Sequence, residues 1–188
     1  MPSEAPATRV PPVIPEQLNP EARAIHDQII STRQGGEIRG PFAIWIRNAA
    51  LAAAANQMGN VVRLNGKLEA RVFELIILVV ARHWSAQYEW FAHAKDAARV
   101  GLDAQVVEAI RTHRTPAFSS SQESVVYALT RELLETKDVS EATYGRALEM
   151  FGFDLLAEIV TVAGFYTLVA MMLNAFHAPV PGNARPLD

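Results

Sequence analysis

The sequence predicts an all-α fold, and three observations carry that expectation. No run alternates apolar and polar residues with the two-residue period of a half-buried strand. Leu68, Val72, Leu75, Ile76 and Val79 recur at three- and four-residue spacings, as on a helix with a broad buried face. Asn, Asp or Ser residues stand where helices would begin, and glycines stand where several would stop.

The elements follow in order. Six of the first twenty residues are proline, which denies the backbone helix and sheet hydrogen bonds, so residues 1–18 are expected to form an extended arm or a frayed tail. Asn19 can cap a first helix over 20–33, because Pro20 suits the first helical position. That helix stops at Gln34-Gly35-Gly36, a turn, and Arg39-Gly40-Pro41 makes a second break. Alanines from Ala49 to Ala55 favour a helix over 48–64, ended by Asn65-Gly66. The apolar helix that begins near Leu68 bends around His83 to Ser85. Ser85 offers a cap for a helix to Val100, Gly101 stops it, and Asp103 caps a short helix to about Thr112. After a loop at 115–121, Ser121 or Gln122 opens a helix to Thr136, and Ser140 caps one to Met150. Gly152 separates that helix from a last one over 153–176. The tail from Ala178 carries three prolines and is expected to be irregular.

Length and composition limit the functions to be considered. A chain of 188 residues is one domain, able to bury about 70% of the surface its unfolded form exposes. Residues 19–177 read as that domain, between the arm and a tail at 178–188. Half the residues are hydrophobic and only 20% charged, so apolar surface left over from the core favours a homo-oligomer. A net charge of -3 without a basic stripe argues against a nucleic-acid partner. The absence of cysteine excludes disulfides, thiolate metal sites and cysteine nucleophiles, and fits a cytoplasmic enzyme. The first residues do not read as a secretory signal. The apolar stretch 155–176 reads as a core or interface helix rather than a membrane span, given Glu158, Gly164 and Asn174.

The chemistry concentrates in ELIILVVARHWSAQYEWFAH, residues 74–93. Glu74 sits inside an apolar run, where a carboxylate requires a partner or a proton, because its desolvation costs several kcal/mol. A structural salt bridge to Arg71 or Arg82 would satisfy it without any chemistry. Glu89 and His93 are four apart and share a helix face, where a carboxylate can orient an imidazole and favour its charged form. The simpler alternative is a surface pair worth a few tenths of a kcal/mol. His83, Glu89 and His93 form a conceivable metal set, although no close pair fixes its geometry. Tyr88 and Trp84 are candidates for a pocket wall, and so is Trp45 in PFAIWIRN. His26, His113 and His177 lack supporting neighbours. There is no Ser-His-Asp arrangement, phosphate loop or dinucleotide fingerprint.

The positions Glu74, Ala86, Glu89 and His93 match the frame of a redox motif in which Ala86 and Glu89 would both be cysteine. The stretch 71–101, together with RGPFAIWIRN upstream, resembles the carboxymuconolactone decarboxylase and alkylhydroperoxidase D-like superfamily. Without cysteine the thiol peroxidase reaction is excluded. The resemblance implies an alkylhydroperoxidase D-like helical bundle that assembles as trimers or multiples of trimers. It also implies a lyase needing no cofactor that acts on a small carboxylated lactone or unsaturated acid from aromatic breakdown, with Glu74, Glu89 and His93 handling protons. Arg71, Arg82, His83, Trp84, Tyr88 and Trp45 are the candidate substrate-binding residues. A metal-dependent enzyme and a non-catalytic oligomer of the same fold are the rival expectations.

Overall fold

A computed structural model describes residues 7–31 and 37–188. The described residues form eight α-helices and no strand. They are α1 (Pro20–Ser31), α2 (Pro41–Trp45), α3 (Ala49–Leu64), α4 (Ala70–His83), α5 (Gln87–Arg99), α6 (Ala104–Arg111), α7 (Ser121–Thr136) and α8 (Glu141–Ala175). The fold is an all-α bundle of the alkylhydroperoxidase D-like type.

Helix α4 is the axis of the bundle, packed by α5, α7 and α8. Its residues are buried without interruption from Glu74 to Ala81, so it shows more than one buried face, as expected of a helix surrounded on all sides. Val72, Ile76, Ile77 and Val80 join the main core with α3, α7 and α8. Leu75, Leu78, Val79 and Ala81 join a second cluster with Trp90, Leu102 and Val106. Each such large aliphatic side chain contributes about 1.5–3 kcal/mol by leaving water.

Polar caps set most of the helix starts. Asn19, Asn48, Asp103, Ser120 and Ser140 each accept a hydrogen bond from a backbone N–H in the first turn of the helix that follows. Helix α7 opens at Ser121 as expected, with Ser120 as its cap. Ser85 does not cap α5: it adopts a left-handed backbone (φ 50) in the tight turn from α4, and Ala86 occupies the cap position. The predicted second break contains α2, because Gly40 at φ 60 turns the chain and Pro41 already has helical φ. The predicted stop at Gln34-Gly35-Gly36 lies outside the described residues. Gly152 (φ 70, ψ 171) divides α8 into the two helical segments expected there.

Both termini are tied down where they are described. The Arg9 backbone N–H donates to the Phe176 carbonyl at 2.9 Å, and Arg47 donates to the carbonyls of Pro11 and Pro12, so residues 7–18 are an ordered arm rather than a frayed tail. The arm and the tail each include one 3-10 turn, Pro15–Gln17 and Pro181–Asn183. Gln87 holds the tail by donating to Asp188 and accepting from the Leu187 N–H. Helix α8 is long and apolar enough to cross a membrane by length and composition. Its second half buries Leu156, Ile159, Val162, Ala163, Tyr166, Val169, Ala170 and Leu173 at helical spacings against the core.

Candidate functional site

The turn at Trp84 to Ala86 folds α5 back along α4, and Asn174 of α8 fastens it by donating to the Trp84 carbonyl at 2.7 Å. This hairpin brings Glu74 and His93, nineteen residues apart, to 2.8 Å between Glu74 Oε2 and His93 Nδ1. Both residues are only 6% exposed. A histidine shares its two nitrogens between different tasks: with Nδ1 engaged by the carboxylate, Nε2 is left for other chemistry. The carboxylate fixes the orientation of the ring. The expected pairing of Glu89 with His93 is therefore corrected. Tertiary packing supplies the imidazole with Glu74 from the facing helix, and no hydrogen bond joins Glu89 to it. Neither Arg71 nor Arg82 pairs with Glu74; Arg71 lies 3.5 Å from Glu123, and Arg82 donates to Ser85.

Glu89 is 2% exposed, and both of its carboxyl oxygens are buried without a hydrogen-bond partner. Burial pushes its carboxyl well above the usual carboxylate range, so the neutral acid is the favoured form. Tyr166 lies edge-on to His93, with ring centroids 5.1 Å apart, and packs edge-on against Phe73 and Phe165 as well. Burial, more than any neighbouring charge, pushes its phenol above the normal range and keeps it neutral.

Glu89, His93 and Tyr166 line a cavity of about 150 Å³ together with Phe42, Trp45, Tyr88, Phe165, Val169 and Arg63, and Glu74 reaches it only through His93. A cavity of about that volume holds a single six-membered ring. Gly40 shapes the approach: a Cβ there would stand 2.7 Å from Tyr88 Cε1, so only glycine lets the loop lie on that ring and place Arg39, Pro41 and Phe42 along the cavity. Arg63 Nη1 stands 3.5 Å from the Tyr166 hydroxyl, and among the described residues no carboxylate neutralises it. Arg39 is already paired with Glu37.

Of the expected residues, Glu74, Glu89 and His93 are brought together, and Tyr88 and Trp45 line the cavity as anticipated. Arg71, Arg82, His83 and Trp84 are not among the residues lining it. Arg82 and His83 line a separate groove of about 200 Å³ with His113, Arg114 and Arg131, while Trp84 packs on the main core. The metal set His83, Glu89 and His93 is therefore not assembled. Donor atoms of Glu74, His93 and Asp96 do lie within 4.8 Å of one another, although Glu74 and His93 are already bonded together. His26, read as lacking a supporting neighbour, is buried with Nδ1 2.9 Å from Asp27; His177 Nδ1 is 3.3 Å from the Ala7 carbonyl. Sequence reasoning missed Arg63, Phe165 and Tyr166. Their signals were a cation in the last turn of the alanine-rich helix and a phenol inside the most apolar stretch.

Comparison with known proteins agrees with the fold. The sequence model of the carboxymuconolactone decarboxylase family matches residues 49–132, which include Glu74, Glu89 and His93. No curated protein matches the chain. Among solved structures, a cysteine-to-alanine variant of the debrominase Bmp8 in complex with 2,3,4-tribromopyrrole is 14% identical, with a TM-score of 0.75 over 97% of this chain and 96% of that one. An uncharacterized peroxidase-related protein from Silicibacter sp. TM1040 is 18% identical, with a TM-score of 0.71 over 94% of this chain and 92% of that one. An alkylhydroperoxidase AhpD core protein from Ralstonia eutropha JMP134 is 16% identical, with a TM-score of 0.74 over 92% of each.

Proposed function

Because residues 49–132 match the carboxymuconolactone decarboxylase family, the fold is that of alkylhydroperoxidase D-like proteins and the chain has no cysteine, we propose that it is an acid–base lyase that decarboxylates a ring-sized unsaturated acid without a cofactor. A carboxylated lactone from aromatic breakdown is the leading substrate. The observation that carries this reading is the buried Glu74–His93 pair on a cavity the size of one ring. The single five-membered ring bound in the Bmp8 structure supports a ligand of similar size for the shared fold.

In such a lactone, the bond between the ring and its carboxylate breaks and carbon dioxide leaves. The electron pair moves through the ring double bond onto the lactone carbonyl oxygen. The substrate is thus its own electron sink, and the enzyme has only to hold the developing charge and deliver one proton. Charged His93 gives that proton from Nε2 to the far carbon while Nδ1–H stays on Glu74, and solvent returns a proton to close the cycle. Arg63, which no carboxylate among the described residues neutralises, is placed to receive an anionic group of the substrate before reaction. Screening carboxylated lactones and ring-cleavage acids for carbon dioxide release tests the reading. Release that falls at least 100-fold in His93→Ala supports it, and no release from any of them by wild type rejects it.

Self-association is part of the same proposal. Helix α3 exposes Leu51, Met58, Val61 and Leu64, and α8 exposes Val160, Leu168 and Met171, a large apolar area for a monomer to leave in water.

A further inference from the structure

Glu89 is the buried group that the proton-delivery step leaves unused. It lines the cavity beside His93 and Tyr166, its two oxygens have no partner, and none of the ion pairs among the described residues includes it. An ionised carboxylate in that setting would be a buried charge with no hydrogen bond to hold it. As a neutral acid it instead offers an O–H donor and a carbonyl acceptor that nothing in the protein uses. A buried donor next to a proton-delivering group is well placed for an oxygen on which negative charge grows, because it is shielded from bulk water and already oriented. A carboxylic acid kept neutral by an apolar site can act in this way. Glu89 also stands where the superfamily frame has its second cysteine, so a hydrogen-bond donor takes the place of a redox group.

We propose that Glu89 is the oxyanion donor of this site, its carboxyl O–H binding the carbonyl oxygen of a ring-sized acid whose carboxylate lies toward Arg63. The inference rests on the decarboxylase reading for where charge develops in the reaction, but the recognition of a ring carbonyl can be measured without turnover. The ligand class is accordingly a five- or six-membered ring with a carboxylate at one end and a carbonyl acceptor at the other.

The test uses two inert probes. One is 5-oxotetrahydrofuran-2-carboxylate, which lacks the ring double bond and cannot lose carbon dioxide by this route. The other is tetrahydrofuran-2-carboxylate, which differs only in lacking the carbonyl. Calorimetric titration of wild type is expected to show the carbonyl probe binding about tenfold tighter, and Glu89→Gln, whose amide still donates, should keep that preference within about threefold. Glu89→Leu should reduce the preference to less than about twofold while holding the affinity of the carbonyl-free probe within about threefold. Glu89→Met, which is similar in length and also lacks a donor, gives the same reading if the leucine variant folds poorly. An unchanged preference in the leucine or methionine variant overturns the proposal, as does a wild type that binds neither probe or prefers neither. Carbon dioxide release is scored separately. A Glu89-dependent preference with no release from any unsaturated acid sinks the lyase reading and leaves this inference standing, and release with a preference that survives Glu89→Leu does the reverse.

Discussion

If Glu74 and His93 act as one unit, their substitutions should be strongly non-additive. The contact is 2.8 Å long and both residues are 6% exposed, so the hydrogen bond is charge-assisted and shielded from water. Such a bond is worth about 1.5–3 kcal/mol net. Removing one member of a buried pair costs about 3–5 kcal/mol, because the other is stranded. Glu74→Gln and His93→Gln should therefore each destabilise by about 3–5 kcal/mol, and the double variant should cost less than their sum by roughly 2–3 kcal/mol. Urea unfolding of the four proteins in the cycle measures this. Turnover, once a substrate is found, should fall by roughly 100-fold or more in each single variant and little further in the double. Glu89→Gln combined with His93→Gln should couple more weakly than Glu74→Gln with His93→Gln, since no hydrogen bond joins Glu89 to His93. The pairing argument is refuted if Glu74 and His93 add while Glu89 and His93 couple.

Three further outcomes are expected. A carboxyl held above its ordinary range by burial binds its proton more tightly folded than unfolded, so wild-type stability should fall as pH rises from about 4.3 through the folded value. Glu89→Gln removes that pH dependence, so its stability relative to wild type should grow with pH in denaturant titrations; a difference that stays constant with pH would mean that the Glu89 carboxyl is not held above its ordinary range. Gly40→Ala should cost about 1–3 kcal/mol and weaken ligand binding, because it strains a backbone at φ 60 and drives a Cβ into the Tyr88 ring; thermal unfolding at wild-type temperature would contradict this. Leu64→Glu, at a position 73% exposed in the monomer, should lower the mass seen by light scattering while leaving the circular dichroism of the helices intact; a wild type that is monomeric at micromolar concentration would remove the case for assembly.

The fold was legible because its information is local. Asn19, Asp103 and Ser140 cap where expected, and Gly101 and Gly152 adopt the positive φ their positions suggested. Helix α2 was not legible, since a five-residue helix between Gly40 and Arg47 is too short to show a period. The site divides in the same way. Spacing put Glu89 and His93 on one helix face, but which carboxylate an imidazole bonds depends on how α4 and α5 pack, and a four-residue interval carries no information about that. The isolation of Glu74 in an apolar run was the better clue, since it had to be satisfied from outside its own helix. Arg71 and Arg82 misled for a related reason. A helix buried all round can place its cations only near its ends, and there they meet Glu123 and Ser85 instead of the cavity.

The two positions where the superfamily frame has cysteines have separate fates in this chain. Ala86 is fully buried at the head of α5 and is not among the residues lining the cavity, so the first thiol position has no access to a ligand there. Glu89, one helical turn further on, lies on the cavity with His93. Losing the first sulfur removes a nucleophile, and replacing the second with a buried acid adds a proton-bearing group beside an existing histidine–carboxylate pair. On the proposed reading, the frame that holds two sulfurs in the thiol peroxidases serves here to move a proton and hold an oxyanion. The cost is an unsatisfied buried carboxyl, which selection for stability alone would have replaced with leucine or glutamine.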